Sequence, residues 1–213
     1  MTAEKAETFA RTKEIYLIRH GETDFNQRGI VQGRGVDSTL NAVGRAQAQL
    51  FFERYRDTGF EKIYISHLRR TEQTVAPFLE MGIPMEKHSG LDEISWGVHE
   101  GKSDQESFRL FYQVLHEWQQ GNVTLAIENG ESPVQVQERQ RVFLDKLLQD
   151  PEERVLICSH GRAIRILLCT MLNEPLQKMD TFPHQNVSLY KLLFRDGSFT
   201  LEIGNDTAHL NAE

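Results

Sequence analysis

Three short apolar runs constrain what this chain can become. Residues 15–18, 62–66 and 155–158 are built mainly from Ile, Leu, Val and Tyr, with almost no polar alternation. Runs of this length and composition read as strands buried on both faces. A helix-like stretch follows each of them. Strand and helix in repeated alternation call for an α/β sandwich around a mainly parallel sheet. Reactive residues begin where each run stops: Arg19-His20-Gly21, then Ser66-His67-Leu68-Arg69-Arg70-Thr71, then Ser159-His160-Gly161. Parallel strands present their C-terminal ends along one edge, and open α/β sheets bind ligands at that edge. The three segments are therefore expected to converge in one crevice.

Local signals fill in the remaining elements. Asn41 is a cap for a helix carrying Val43, Ala46 and Leu50 on one face, ended by Gly59. Residues 68–81 are helix-like with Gly82 as a stop, and Pro77 predicts a kink or break near Ala76. Residues 103–120 form another helix, closed by Gly121. Ser132-Pro133-Val134-Gln135 is a helix start: serine cap, proline at the first position, glutamine to complete a capping box. That helix runs to Gln149, before Pro151. Residues 163–172 are apolar nearly all round and predict a buried helix. Residues 187–194 and 199–203 flank Asp196-Gly197, a hairpin turn, so an antiparallel portion makes the sheet mixed. The expected architecture is a three-layer α/β/α sandwich.

Length and charge narrow the function. At 213 residues the chain is long enough for one domain with a real core. Residues 1–13 are polar and mixed in charge and lack a signal peptide's apolar centre. They read as a loose leader before a single domain over residues 14–213, in a cytoplasmic protein. The net charge of −7 weighs against nucleic acid or an anionic membrane as partner. No apolar run is long enough to span a bilayer. Cys158 and Cys169 lie in apolar surroundings outside any C-x-x-C pair and read as small buried residues.

Phosphoryl transfer suits the reactive segments. It needs cations and N–H donors around the equatorial oxygens, a nucleophile that works near pH 7, and an acid for the leaving oxygen. Neutral imidazole is such a nucleophile. Arg19 and Arg70 offer permanent forked donors, and His160, if protonated, offers another. Gly21 and Gly161 allow close backbone approach, and the helix after His160 directs N–H groups at the same place. Glu93 is the candidate acid, with Asp92 and Glu100 as competitors.

The full set of motifs resembles the histidine phosphatase superfamily, or phosphoglycerate mutase-like family. The matching pieces are Arg19-His20-Gly21-Glu22-Thr23 with Asn26, Gln32-Gly33, and Ser66-x-Leu68-x-Arg70-Thr71-x-Gln73-Thr74. Leu91-x-Glu93, Glu100-Gly101, Gly130-Glu131-Ser132 and Ser159-His160-Gly161 complete them, over roughly residues 14–170. The resemblance implies that His20 forms a phosphohistidine and that Arg19, Arg70 and His160 make the phosphate pocket. It implies that Thr23 and Asn26 add hydrogen bonds and that Gln32-Gly33 lies on a loop over the substrate. Glu93 takes the place of the family proton donor, and no metal or other cofactor is used. The implied partner is a small phosphorylated substrate; a homodimer is possible.

The chain also departs from the pattern. Arg162 stands where a second glycine is common after Gly161; it reads either as solvated or as a substrate contact. His67 replaces a frequent proline, and His99 an aromatic residue. The stretch between Glu93 and Gly130 is short for the insert with a basic pair that mutases carry, which favours a phosphatase. A mutase, or a non-catalytic phospho-ligand module, are the alternatives. His67, His88, His116, His184 and His209 read as structural or solvated, His99 stays open, and Arg165 reads as an ion-pair partner. Specificity is expected from residues 27–39 and 97–129.

Overall fold

The structure is a computed structural model that describes residues 12–211. Of the expected leader, residues 1–11 lie outside the described residues, and Lys13 already belongs to the first strand. One six-stranded sheet organises the chain. Its strands are β1 (Lys13–Arg19), β2 (Lys62–Ile65), β3 (Met85–Lys87), β4 (Arg154–Ser159), β5 (Leu189–Arg195) and β6 (Ser198–Asp206). Their spatial order is β3-β2-β4-β1-β5-β6. β1, β2, β3 and β4 pair in parallel, and β5 and β6 add the antiparallel margin. β3 is not evident in the sequence, because Met85-Glu86-Lys87 sits at the sheet margin and is not buried.

Helices α1 (Asp24–Gln27), α2 (Ala42–Tyr55), α3 (Arg69–Glu80), α4 (Gln105–Gln119), α5 (Pro133–Gln149) and α6 (Gly161–Met171) connect the strands. The central strands are apolar on both faces, as their sequences require. Ile15, Leu17, Tyr64, Val155 and Ile157 meet Phe143, Leu147, Ile164 and Leu167 of α5 and α6. Tyr16, Ile18, Ile63, Ile65, Leu156 and Cys158 meet Phe51, Val75 and Phe78 of α2 and α3. This is the three-layer sandwich with a mixed sheet. A third cluster, with Ile94, Trp96, Trp118, Ile127 and Ile166, roots α4 and the loop before it. Both cysteines are buried.

Several local expectations need correction. The buried face of α2 is Gly44, Ala48 and Phe51, whereas Val43 is 48% exposed. Gly44 gives the reason: its backbone packs directly on Gly21, and a β-carbon on Gly21 would stand 2.6 Å from the Gly44 carbonyl oxygen. Contact with the loop after β1 therefore sets the rotation of the helix, and the apolar stripe does not. α3 continues through Pro77 as one helix. β5 starts at Leu189, because Val187 has a positive φ of 58° and its N–H donates to the Arg19 carbonyl. The capping box at Ser132 is present as expected, with Gln135 returning the bond.

Candidate active site

The parallel register brings the three strand ends together. Arg19 lies level with Ser159, and β2 pairs with the other side of β4. A cavity of about 220 Å³ opens at this edge, lined by Arg19, His20, Asn26, Gln32, Arg70, Glu93, Gly161 and Arg162, with His184 on the wall. Ile30, Val31, Trp96 and Phe111 supply its apolar part. The His20 and His160 rings have centroids 5.1 Å apart.

His20 is 3% exposed and its tautomer is set by one hydrogen bond. Nδ1 lies 2.7 Å from the Gly21 carbonyl oxygen, which only accepts. The proton is therefore on Nδ1, and Nε2 carries a free lone pair. Burial, and then the charges of Arg70 and Arg19, hold the ring far below its ordinary pKa, so it is neutral at pH 7. Asn186 reinforces the segment by donating to the His20 carbonyl at 2.9 Å.

Among the described residues, the Arg19 and Arg70 guanidinium groups have no carboxylate in ion-pair contact. Arg70 is fully buried and donates from Nε to His160 Nδ1 at 3.1 Å, from Nη1 to the Val36 carbonyl and from Nη2 to the Gly33 carbonyl. Arg19 donates to His184 Nδ1 at 3.2 Å, and its buried Nε has no hydrogen-bond partner among the described residues. Burial pushes both down to about 10, with nearby Glu93 pulling the other way, so both stay charged at neutral pH. Two desolvated cations, each hydrogen-bonded to neutral groups, thus stand beside a neutral imidazole.

The donor role expected of His160 is conditional on its protonation, and the ring is neutral here. Its Nδ1 accepts from Arg70, so its proton is on Nε2 and is donated to Ser66 Oγ at 2.7 Å. Burial and the Arg70 charge keep the ring neutral, well below its ordinary pKa. In this state His160 orients Arg70. The N-terminal amides of α6 are also committed: Arg162 N and Ala163 N donate to the Glu93 carboxylate at 3.2 and 2.9 Å, and Ile94 N adds a third bond at 3.0 Å. The helix end thus holds the candidate acid rather than a free anion.

Among the carboxylates that competed as the acid, only Glu93 lines the cavity. Asp92 binds the His67 amide at 2.8 Å and Arg34 at 3.3 Å. Glu100 accepts from Trp96 N at 3.0 Å and packs against Gly33. Glu131 supports the same segment. It accepts from Ser95 N and Arg139 Nε, while Arg139 also donates to the Glu93 carbonyl.

Thr23 and Gly33 lie behind the wall. Thr23 is fully buried, caps α1 through Asn26 N and bonds Gln32 at 2.9 Å, so it fixes the two side chains that do line the cavity. His99 is buried away from this cavity. His184, read from the sequence as structural or solvated, lies on the cavity wall against Arg19. Its ring packs so close that a β-carbon on Gly161 would stand 2.7 Å from it. Burial and the Arg19 charge lower its pKa to about 3. The signal for His184 in the sequence is indirect: Gly161 has no side chain because this ring takes the space.

Among the described residues no helix is long and apolar enough to cross a membrane. The chain is similar to several known proteins. "Probable phosphoglycerate mutase GpmB" of Yersinia enterocolitica is 32% identical over 211 residues, covering 93% of this chain and 95% of the relative. The structure of mycobacterial glucosyl-3-phosphoglycerate phosphatase superposes with a TM-score of 0.82 at 25% identity, covering 92% of this chain and all of that one. The alpha-ribazole phosphatase of Shigella flexneri shares the fold, with a TM-score of 0.80 at 24% identity over 91% of this chain and 96% of its own. The family model for the histidine phosphatase superfamily, branch 1, matches residues 15–207, and the chain belongs to that superfamily.

Proposed function

We propose that the chain is a metal-independent phosphomonoesterase acting on a small phosphorylated metabolite through a phosphohistidine on His20. The observation that carries this reading is the Nδ1–H bond to Gly21, which leaves His20 Nε2 as a free base in a cationic cavity. In the first step Nε2 attacks phosphorus and the P–O bond to the alcohol breaks. Arg19 and Arg70 take the charge of the equatorial oxygens, and Glu93 gives the leaving oxygen its proton. In the second step water attacks the phosphohistidine, Glu93 takes the water proton, and the N–P bond breaks to restore His20. Splitting one displacement into two makes each barrier lower. Asn26 and Gln32 line the same cavity as substrate donors, and His160 holds Arg70 in place.

The cavity is smaller than the roughly 300–1,000 Å³ of typical drug-sized ligand sites, which favours a compact substrate. The 32% identity to a protein named as a phosphoglycerate mutase favours a second reading, in which the phosphoryl group returns to an alcohol. Rapid-quench labelling with a radioactive phosphomonoester is expected to trap acid-labile phosphohistidine in the wild type and none in His20→Ala. Normal turnover by His20→Ala sinks the mechanism. Free phosphate as the product supports hydrolysis, and isomer exchange supports the mutase.

A further inference from the structure

One cation of the cavity wall is not engaged in the phosphoryl chemistry. Arg162 is 7% exposed and lines the cavity. Its Nη1 donates to Asp180 Oδ1 at 2.7 Å, and Arg165 Nη1 donates to the same oxygen at 2.7 Å. Its guanidinium carbon lies 5.6 Å from the Trp118 ring centre and 5.9 Å from that of Trp96. Among the described residues, Arg162 Nε and Nη2 have no hydrogen-bond partner. The arm is therefore held by an ion pair and two indole rings, with two donors left over.

The ion pairs around it are uneven. Arg162 and Arg165 share the Asp180 carboxylate, and the nearby Glu93 carboxylate is bonded to backbone amides and to neither guanidinium, so one of the two lacks a carboxylate of its own. Such a charge in a dry wall is costly unless an anion meets it. The phosphoryl dianion is already matched by Arg19 and Arg70. The apolar lining of Ile30, Val31, Trp96 and Phe111 accepts a short carbon frame but cannot meet a charge. A forked guanidinium with two free donors suits a planar oxyanion.

We propose that Arg162 is a specificity-determining residue. It binds a second anionic group on the leaving alcohol, so that preferred substrates are compact phosphomonoesters carrying another negative charge. The planar fork of Nε and Nη2 matches the two oxygens of a carboxylate. This inference rests on the reading of His20 as phosphoryl acceptor, and the test separates the two.

The experiment uses matched pairs. 3-Phosphoglycerate and glycerol 3-phosphate differ by a carboxylate, and propane-1,3-diol bisphosphate and its monophosphate differ by a phosphate. Substrate consumption and phosphate release are followed for the wild type, Arg162→Met and Arg162→Lys. The wild type is expected to favour the more anionic member by about 10–100-fold in kcat/KM, as charge-assisted hydrogen bonds permit. The carboxylate pair is expected to show the larger ratio. Arg162→Met brings the ratio close to one, chiefly through KM, and Arg162→Lys recovers part of it. If Arg162→Met melts early, the wild-type ratio and the lysine variant decide. Equal wild-type efficiency within both pairs overturns the subsite alone. So does an equal loss on both members in Arg162→Met. Consumption of no substrate in either pair overturns the subsite and the phosphomonoesterase reading together.

Discussion

The two edges of the same sheet are electrostatic opposites. At the N-terminal edge of the parallel strands cations face acids in a network of ion pairs. Lys62 Nζ lies 2.9 Å from Asp150 and 3.0 Å from Glu86, and Lys146 joins the same two carboxylates. Arg154 pairs with Glu14 at 2.9 Å, and Lys191 bridges Glu14 and Glu202. At the C-terminal edge, Arg70 is buried against two carbonyls and an imidazole, and Arg19 against an imidazole. The pKa values move accordingly. Burial pulls Lys62 down, but its hydrogen bonds to Asp150 and Glu86 raise it further than burial lowers it. Burial dominates Arg19 and Arg70 and lowers both. One edge pairs its cations with carboxylates, and the other bonds Arg19 and Arg70 to neutral groups with Glu93 nearby, an arrangement suited to the proposed phosphoryl chemistry.

The sharpest way to break this comparison is to remove one cation of the C-terminal edge. Arg70→Met is expected to lower kcat/KM by about 10²–10³-fold, the scale of losing a donor to transition-state charge. Its melting temperature is expected to change little, because a desolvated charge is gone while His160 Nδ1 and the Val36 and Gly33 carbonyls lose their donor. Phosphate-release kinetics and a thermal melt check both halves. Near wild-type efficiency means that another group carries the transition-state charge. A fall in stability means that Arg70 serves the fold instead.

The converse change belongs at the other edge. Asp150 receives Tyr64 OH at 2.5 Å, Lys62 at 2.9 Å and Lys146 at 2.9 Å. Asp150→Asn is expected to cost about 1.5–3 kcal/mol of stability, the range for charged hydrogen bonds. Its kcat/KM is expected to stay within about twofold of wild type, since most surface changes away from a site act only on stability. Denaturant unfolding and the same kinetic assay separate the two effects. A large kinetic loss would show that the edges are coupled through the strands.

These edges also explain what was legible in the sequence. The strands β1, β2 and β4, and with them the place of Arg19, His20, Arg70 and His160, follow from unbroken apolar runs and their polar ends. Such signals are local, and a parallel sheet converts them into a shared site without further information. The α5 start was readable for the same reason, since Ser132 and Gln135 cap one another within four residues. What escaped depends on contacts between distant segments. The face of α2 follows from Gly44 meeting Gly21, which leaves no hydrophobic pattern. His184 reaches the site because the chain returns past α6, and a lone histidine in a loop has no periodicity to betray it. The neutral state of His160 depends on Arg70 arriving on its Nδ1, a contact between residues 90 positions apart.

The smallest predicted effect separates the edges by pH. His184 has its folded pKa lowered to about 3 from an ordinary 6.5, by burial and then by Arg19. Below 6.5 the unfolded chain takes a proton there that the folded chain refuses, so stability falls as pH drops and levels off near 3. Asp150 also has a depressed pKa: burial raises it, but Tyr64, Lys146 and Lys62 together lower it more. Its stabilisation is present above its ordinary 3.8 and is lost only below that. Between pH 6 and 4.5 His184 therefore contributes to the slope together with the other histidines whose pKa burial lowers, His20, His160, His88 and His209, and Asp150 does not. His184→Gln, which keeps an acceptor for Arg19, is expected to flatten the slope by about 1.4 kcal/mol per pH unit, the value of one linked proton. Asp150→Asn is expected to lower the whole curve without changing its slope in that window. Urea unfolding at half-unit pH steps measures both. An unchanged slope in His184→Gln would mean that the folded chain protonates His184 as readily as the unfolded one, and the C-terminal edge would then be less desolvated than its geometry implies.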